Sequence, residues 1–185
     1  MVQDAIRFAR QTHAGRFRKG TGRTVIHHAL AAADIVLNIR PEESLIAAAL
    51  LRDAVEEGDI TLQELAEQFG FRVANIVAAQ SDDVSLSWVE RKRKKLKELE
   101  KASEEVKIVV LGNELSNLRD LAADFAKMGD EIWNQVCPVG REWLGWYYIG
   151  LRRSLFSLAY LFYYQEFSVL VTGLFEETSG KALIS

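Results

Sequence analysis

The chain contains very little proline and cysteine. Its 185 residues include two prolines, Pro41 and Pro138, and one cysteine, Cys137. With so few prolines, helix interiors are almost free of residues that break a helix. A single cysteine excludes an intrachain disulfide and agrees with a reducing cytoplasm. Cys137 has no obvious histidine partner in the sequence, so we expect it to be chemically inert.

A long uninterrupted hydrophobic run is also missing. The most apolar stretch, residues 147–174, is broken by four polar or charged side chains, which are Arg152, Arg153, Gln165 and Glu166. Such a stretch is not expected to span a membrane. The first ten residues, MVQDAIRFAR, carry charges where a secretory signal peptide needs an apolar run. We therefore expect a cytoplasmic protein without a membrane partner.

Neither sign of charge is in large excess. The 23 basic and 26 acidic residues give a formal charge of −3, which provides no overall attraction to nucleic acid or to a membrane surface. The basic run ERKRKKLKELEKA, residues 90–102, could contact an acidic partner, but its acids Glu98 and Glu100 favour a solvated helix face. We expect no nucleic-acid partner.

Helical periodicity extends along nearly the whole chain and predicts an all-α bundle of about eight to ten helices. Hydrophobic residues make up 49% of the chain, which is enough for one core, so residues 1–185 are predicted to form a single domain. Thr61 with Glu64 forms a capping-box pattern at the start of one helix. The segment SLIAAALL is apolar nearly all round, which predicts a helix at the centre of the domain. The helices are predicted at residues 25–39, 42–55, 61 onward, 72–80, 88–101, 102–126 and, in the C-terminal part 139–178, at roughly 141–163 and 165–178.

Five segments, in order, resemble one family. HAGRFRKGTGRTVIHHAL (13–30) resembles the H-x-G-Q-x-R-K-G-T-x-x-P-Y-I-x-H-P opening of RelA/SpoT-type alarmone hydrolases, and IAAALLRDAVEEGDITLQELAEQFGFRVANIV (46–77) resembles their A-A-L-L-H-D-V-V-E-D-T stretch with its continuation. DDVSLSWVERK (82–92), ASEEVKIVVLGNELSNLRDL (102–121) and GWYYIGL (145–151) follow, the second of these resembling a helix that ends in A-D-K-L-x-N-L-R. The chain thus resembles the HD-type guanosine polyphosphate (ppGpp) 3′-pyrophosphohydrolases, small helical enzymes.

The resemblance implies a divalent cation, usually Mn²⁺, held by a His, an adjacent His-Asp pair and a later Asp. Such a cation lowers the pKa of a bound water and offsets charge on the pyrophosphate. His28 matches the first ligand and Asp53 matches the aspartate of the pair. Arg52 stands where the pair's histidine belongs, and Asn113 stands where the last aspartate belongs.

Both departures oppose metal binding. A guanidinium stays protonated and has no lone pair to donate, and two unit charges about 4 Å apart repel by about 4 kcal/mol at an effective dielectric of about 20. Asn113 offers a carbonyl oxygen without a full charge, so the set carries one formal negative charge where the family's carries two. Arg52 is expected to pair with Asp53 or a nearby acid and to occupy the space of the metal. We therefore expect Mn²⁺ to bind weakly or not at all.

The remaining site residues follow from the same resemblance. Glu56 and Glu57 match the Glu-Asp pair that helps to activate water in the family, although each also fits a solvated helix end. Arg18 and Lys19 match an Arg-Lys pair beside the nucleotide, or else form an ordinary basic loop. Asn117 matches an asparagine that contacts the guanosine sugar.

Structural roles are expected for the other histidines and for a set of aromatic residues. His27 cannot easily share a metal with His28, because neighbours on a helix point about 100° apart. His13 is expected to close the first helix near its C-terminus. An aromatic set in the C-terminal part suits core or homodimer packing; it comprises Trp133, Trp143, Trp146, Tyr147, Tyr148 and Tyr160.

Three functions remain open at this stage. The leading hypothesis is a protein that keeps the hydrolase fold and binds a guanine nucleotide such as ppGpp, but hydrolyses it weakly or not at all. The second is an active hydrolase with a rearranged site built from His28, Asp53, Glu56, Glu57 and Asn113. The third is a structural or interaction module that uses the aromatic C-terminal helices.

Overall fold

The computed structural model describes residues 1–17, 24–57, 59–81, 85–136 and 139–176. These residues form an all-α domain, as the periodicity predicts. Short 3-10 turns cover Gly129–Ile132 and Phe156–Leu158, and a π-helical turn covers Thr172–Glu176. The α-helices are α1 (Val2–Thr12), α2 (Val25–Ile39), α3 (Glu43–Glu56), α4 (Leu62–Phe69), α5 (Phe71–Ala78), α6 (Trp88–Glu100), α7 (Glu104–Met128), α8 (Trp133–Val136), α9 (Gly140–Ser154) and α10 (Phe162–Val171).

Helix α3 lies at the centre of the N-terminal half, where α1, α2, α5 and α7 pack against it. Its side chains from Leu45 to Arg52 are all buried, which confirms the prediction made from the all-round apolar segment. The continuously buried part of α3 extends as far as Arg52. The charged Arg52 side chain therefore lies between the apolar core and a cleft.

Local capping chemistry sets several helix starts. Thr61 accepts a hydrogen bond from the Glu64 amide while the Glu64 carboxylate accepts from Thr61, so the predicted capping box is confirmed. Ser87 and Glu90 form a second capping box at the start of α6. Gly70, at φ 92°, ends α4 and allows α5 to begin at once, since this backbone conformation strongly favours glycine.

Helix α7 is the longest element and packs against α2, α3 and α10. The contact with α2 is very close at Gly112: a Cβ added there would lie 2.7 Å from Val36 Cγ2 and 3.0 Å from the Ala32 carbonyl oxygen. The absence of a side chain at residue 112 therefore sets how near the two helices approach. This approach brings Ser116, one turn further along α7, within hydrogen-bond distance of His28.

The prediction for the C-terminal helices is wrong. Instead of helices over 141–163 and 165–178, α9 ends at Ser154 and α10 begins at Phe162, with a 3-10 turn between them. The Tyr164 hydroxyl donates to the Arg152 carbonyl oxygen at 2.8 Å, which satisfies one of the free carbonyls at the end of α9. Residues 155–161, between the two helices, contain no proline or glycine that would have signalled the break.

The loop that follows α1 is closed at its base. Phe17 and Thr24 form an isolated antiparallel bridge, and the Val25 amide donates to the Arg16 carbonyl oxygen. Arg18 and Lys19, between these residues, lie outside the described part of the chain. Among the described residues, no helix is long and apolar enough to cross a membrane.

Candidate functional site

A cleft of about 610 Å³ lies where α2, α3, α6, α7 and α9 meet. The structure brings six of the residues that the sequence singled out to its wall. These are His28, Arg52, Asp53, Glu56, Glu57 and Asn117. Their meeting requires three helices, because His28 comes from α2, the acidic group from the C-terminal end of α3, and Asn117 from α7.

The Arg52 guanidinium lies among the acids of α3. Its Nη2 donates to Glu56 Oε1 at 2.6 Å, and its Nη1 lies 3.6 Å from Asp53 Oδ1. The side chain is only 9% exposed. Burial works against its charge, but Glu56, Asp53 and Glu114 outweigh burial and raise the pKa of Arg52 above its ordinary value. The expectation that Arg52 pairs with a nearby acid is therefore confirmed.

His28 and Asn113 make separate contacts. His28 is buried in the cleft wall, with Nδ1 2.9 Å from Ser116 Oγ. The Asn113 amide donates to Gln80 Oε1 at 3.0 Å, and Gln80 in turn donates to the Ile76 carbonyl oxygen. Asn113 is not among the described residues that line the cleft. Its side chain is instead committed to a buried contact with the end of α5.

A buried carboxylate, Glu114, also lines the cleft, and no site role was predicted for it from the sequence. It accepts a hydrogen bond from the Tyr147 hydroxyl at 2.8 Å, and the Lys95 ammonium lies 3.4 Å away. Burial opposes ionisation of Glu114, yet Lys95, Arg52, Lys92 and the Tyr147 hydrogen bond together lower its pKa to about 2. Glu114 is therefore ionised at neutral pH and holds α6, α7 and α9 together.

This finding corrects the interpretation of residues 90–102. Most of that run faces solvent, as expected, but Lys95 is buried, and Lys92 lines the cleft with its ammonium 5.0 Å from the centre of the Tyr147 ring. Trp88 packs edge-on against the same ring. One end of the cleft thus has an aromatic wall. Residues 91–95 are all basic, and such a run alone does not show which of its side chains face a cleft and which face solvent.

A second group of polar side chains lies beside the cleft, around Glu57. The ligand-type atoms of His13, Glu57 and Asp59 all lie within 4.8 Å of one another. Arg16 donates to both carboxylates, with Nη2 2.7 Å from Asp59 Oδ1. The Arg16 hydrogen bonds lower the pKa of Asp59. This group could hold a metal ion, and the sequence did not bring its members together.

Comparison with known proteins places the chain in a family. The family model described as HD domain matches residues 5–137. The guanosine-3′,5′-bis(diphosphate) 3′-pyrophosphohydrolase MESH1 of Danio rerio is 36% identical over 124 residues, which are 65% of this chain and 69% of that protein. The Homo sapiens protein of the same name is 36% identical over 121 residues, 64% of this chain and 68% of that protein.

Two solved structures share the fold. The crystal structure of lmo0812 from Listeria monocytogenes EGD-e superposes with a TM-score of 0.76 and 26% identity, over 81% of this chain and 99% of that one. A metazoan ortholog of SpoT that hydrolyses ppGpp superposes with a TM-score of 0.71 and 21% identity, over 99% of this chain and 96% of that one. The chain therefore belongs to the HD-domain family and, within it, to the group of the guanosine-3′,5′-bis(diphosphate) 3′-pyrophosphohydrolases.

Proposed function

We propose that this protein is a pseudoenzyme of its family: it binds a guanosine polyphosphate such as ppGpp in the cleft and lacks efficient Mn²⁺-dependent hydrolysis. The names of its relatives support the ligand class. The ion pair between Arg52 and Glu56 is the observation that carries the loss of hydrolysis. A cytoplasmic location goes with this proposal, because the single cysteine is compatible with a reducing compartment.

The four positions that hold the cation in the family do not fit one here. Arg52 supplies a fixed positive charge beside Asp53, and Asn113 donates its amide to Gln80. Only His28 and Asp53 keep donor atoms at the cleft wall. A hard divalent cation needs several oxygen or imidazole ligands around one point, so we infer that Mn²⁺ binds weakly or not at all at these positions.

The two carboxylates that would assist a water molecule are also engaged. Glu56 accepts from Arg52, and Glu57 accepts from Arg16. A general base must be within hydrogen-bond reach of the proton that it removes and must have a free lone pair for it. A carboxylate has further lone pairs, so the two arginine contacts restrict where a water molecule can be bound but leave each acid able to accept a proton. The case for impaired chemistry therefore rests on the metal ligands.

Nucleotide binding is supported by what remains at the cleft. Asn117 lines the cleft, and its amide lies 3.4 Å from Glu114 Oε2. We propose that Asn117 contacts the sugar of the nucleotide. Arg18 and Lys19 are proposed to contact its phosphates. Arg18 and Lys19 lie outside the described residues, while Phe17 and Val25, on either side of that segment in sequence, line the cleft wall. Basic side chains on a glycine-containing loop suit phosphate recognition.

Restoring the metal ligands tests this proposal. The double variant Arg52→His, Asn113→Asp removes the buried guanidinium and returns the two missing donors. We expect it to bind Mn²⁺ with stronger affinity than the wild type and to gain 3′-pyrophosphate release from ppGpp. The matched control is Arg52→Gln, Asn113→Asp, which removes the same positive charge without adding an imidazole. Fast release by the unmodified chain would instead support an active hydrolase with a rearranged site.

Exposed apolar side chains favour a second candidate, an interaction module. Phe156, Phe162 and Val169 around α10 are 70%, 74% and 71% exposed, and neighbouring large apolar groups on a surface often mark a contact with another protein. Homodimer formation through this region is the simplest form of that role. Sedimentation velocity of the wild type and of Phe162→Ser tests it: a dimer that the substitution dissociates would support it, and a monomer at all concentrations would oppose it.

A further inference from the structure

A buried imidazole with no hydrogen-bond partner faces two carboxylates beside the cleft. His13 is 0% exposed, and neither of its ring nitrogens has a hydrogen-bond partner among the described residues. Its Nδ1 lies 3.6 Å from Glu57 Oε2, which is too long for a hydrogen bond. Buried polar groups in proteins are normally satisfied. The imidazole of His13, next to two carboxylates, therefore has a lone pair that is available to a cation.

Arg16 already supplies one positive charge to these carboxylates. It bridges Glu57 and Asp59. Because a guanidinium has donors and no acceptor, Arg16 cannot accept from the imidazole N–H of His13, and neither ring nitrogen of His13 has a hydrogen-bond partner among the described residues. Arg16 is 43% exposed, whereas Asp59 is 21% exposed. The arginine can therefore swing into solvent while the carboxylates stay anchored at the end of α3 and just after it. The Asp59 amide, which donates to the Ala54 carbonyl oxygen, fixes that anchor.

We propose that His13, Glu57 and Asp59 form a binding site for a divalent transition-metal ion of the zinc type, and that Arg16 occupies it when the ion is absent. One imidazole and two carboxylates are a normal set of protein ligands for zinc, with water completing the coordination. The two carboxylates balance the charge of the ion once Arg16 has left. The site shares no residue with the positions 28, 52, 53 and 113 that the family uses.

The order of affinities follows from the donor set. Mixed imidazole and carboxylate sites bind Zn²⁺ more tightly than Mn²⁺, so zinc is the appropriate probe. Because Glu57 also lines the cleft, the ion would lie at the cleft wall. The inference concerns metal binding alone and does not depend on whether the cleft binds a nucleotide.

Calorimetric titration of the whole chain with zinc chloride, after treatment with a chelator and with no nucleotide present, tests the site. We expect one zinc ion per chain. Asp59→Asn should weaken the affinity at least about tenfold, since even an outer partner of a metal ligand contributes about 10–100-fold. Arg16→Ala should strengthen it several-fold by removing the competing cation. Asp120→Asn, at another part of the cleft wall, serves as the matched control and should leave the affinity unchanged.

The test uses variants of Asp59 and Arg16 because both side chains are partly exposed, whereas a substitution of the buried His13 could prevent folding. Circular dichroism checks the helical content of each variant. The proposal is overturned if neither the wild type nor Arg16→Ala binds zinc up to millimolar concentration. It is equally overturned if Asp59→Asn binds as well as the wild type, or if Asp120→Asn weakens zinc binding as much as Asp59→Asn does.

Discussion

Arg52 and Glu56 form an ion pair one turn apart on α3, with 2.6 Å between Nη2 and Oε1, inside the cleft of an HD-domain fold. The pair belongs to a larger group in which Asp53 and Glu114 also interact with the same guanidinium. The Arg52 guanidinium thus balances the negative charge of several acids of the cleft.

Arg52→Ala should destabilise the fold by about 3 kcal/mol, because removing one partner of a buried ion pair leaves the other charges uncompensated. The affected acids are Glu56, Asp53 and Glu114. Urea denaturation, followed by circular dichroism at neutral pH, measures the free energy of unfolding. Arg72→Ala is the matched control: Arg72 also pairs with two carboxylates but is 48% exposed, and exposed pairs contribute little. Equal effects of the two substitutions would contradict this account.

Glu114→Gln should change how stability depends on acid pH. The pKa of Glu114 is about 2 in the folded chain against an ordinary value of 4.5, so as the pH falls the unfolded chain takes up this proton first. The stability that the ionised carboxylate provides is complete above pH 4.5 and is lost as the pH falls toward 2. Integrated over that window, the contribution is at most about 3 kcal/mol.

The measurement is the free energy of unfolding of wild type and Glu114→Gln from pH 7 down to pH 2. The wild type should be more stable at pH 7, and the difference should shrink between pH 4.5 and 2. For Glu67→Gln, which replaces an exposed acid of α4, the free energy of unfolding should differ from that of the wild type by a constant amount over the whole pH range. A constant difference between wild type and Glu114→Gln would show that the charge of Glu114 is not responsible.

Gly112→Ala should destabilise the domain even though alanine favours a helix. The added methyl group would lie 2.7 Å from Val36 Cγ2 and 3.0 Å from a backbone oxygen of α2. Overpacking of this kind costs about 1–3 kcal/mol, against roughly 1 kcal/mol gained by replacing glycine in a helix. Adding Val36→Ala removes one of the two clashes, so the double variant should be more stable than the sum of the single effects. If the destabilisation of the double variant equals the sum of the two single effects, the side chains at positions 112 and 36 are not in contact.

Asn117→Ala should weaken the binding of ppGpp without abolishing it. Loss of one hydrogen bond of about 1 kcal/mol corresponds to about a fivefold increase in Kd. Isothermal titration calorimetry measures the change, and Asn75→Ala, at an exposed position of α5, is the control that should leave Kd unchanged. If phosphate contacts from Arg18 and Lys19 contribute, Kd should also rise with added salt. An unchanged Kd for Asn117→Ala would remove this residue from the ligand contacts.

Features that depend on neighbouring residues could be predicted from the sequence. Helix α2 was predicted at its observed bounds, because a loop with two glycines precedes it and Pro41 follows it. The Thr61–Glu64 capping box is a hydrogen-bond pattern within one turn and needs no other part of the chain. The ion pair of Arg52 was expected because its partners are also on α3, one and four residues away.

Features that depend on two distant elements could not be predicted. The end of α9 is stabilised by Tyr164 of the next helix. Lys95, in a run expected to face solvent, is buried against Glu114 of α7. The approach of His13 to Glu57 and Asp59 joins the end of α1 to the end of α3. In each case the partner lies more than ten residues away, and no local pattern distinguishes the buried side chain from an exposed one.

A protein that holds a guanosine polyphosphate without cutting it should show nucleotide binding and no hydrolysis. The most direct test is an assay of 3′-pyrophosphate release from ppGpp with Mn²⁺ in excess, on protein shown by calorimetry to bind the nucleotide. We predict binding and no release above the rate without protein, whereas the Arg52→His, Asn113→Asp variant should release pyrophosphate. Rapid, Mn²⁺-dependent release by the unmodified chain would contradict the account.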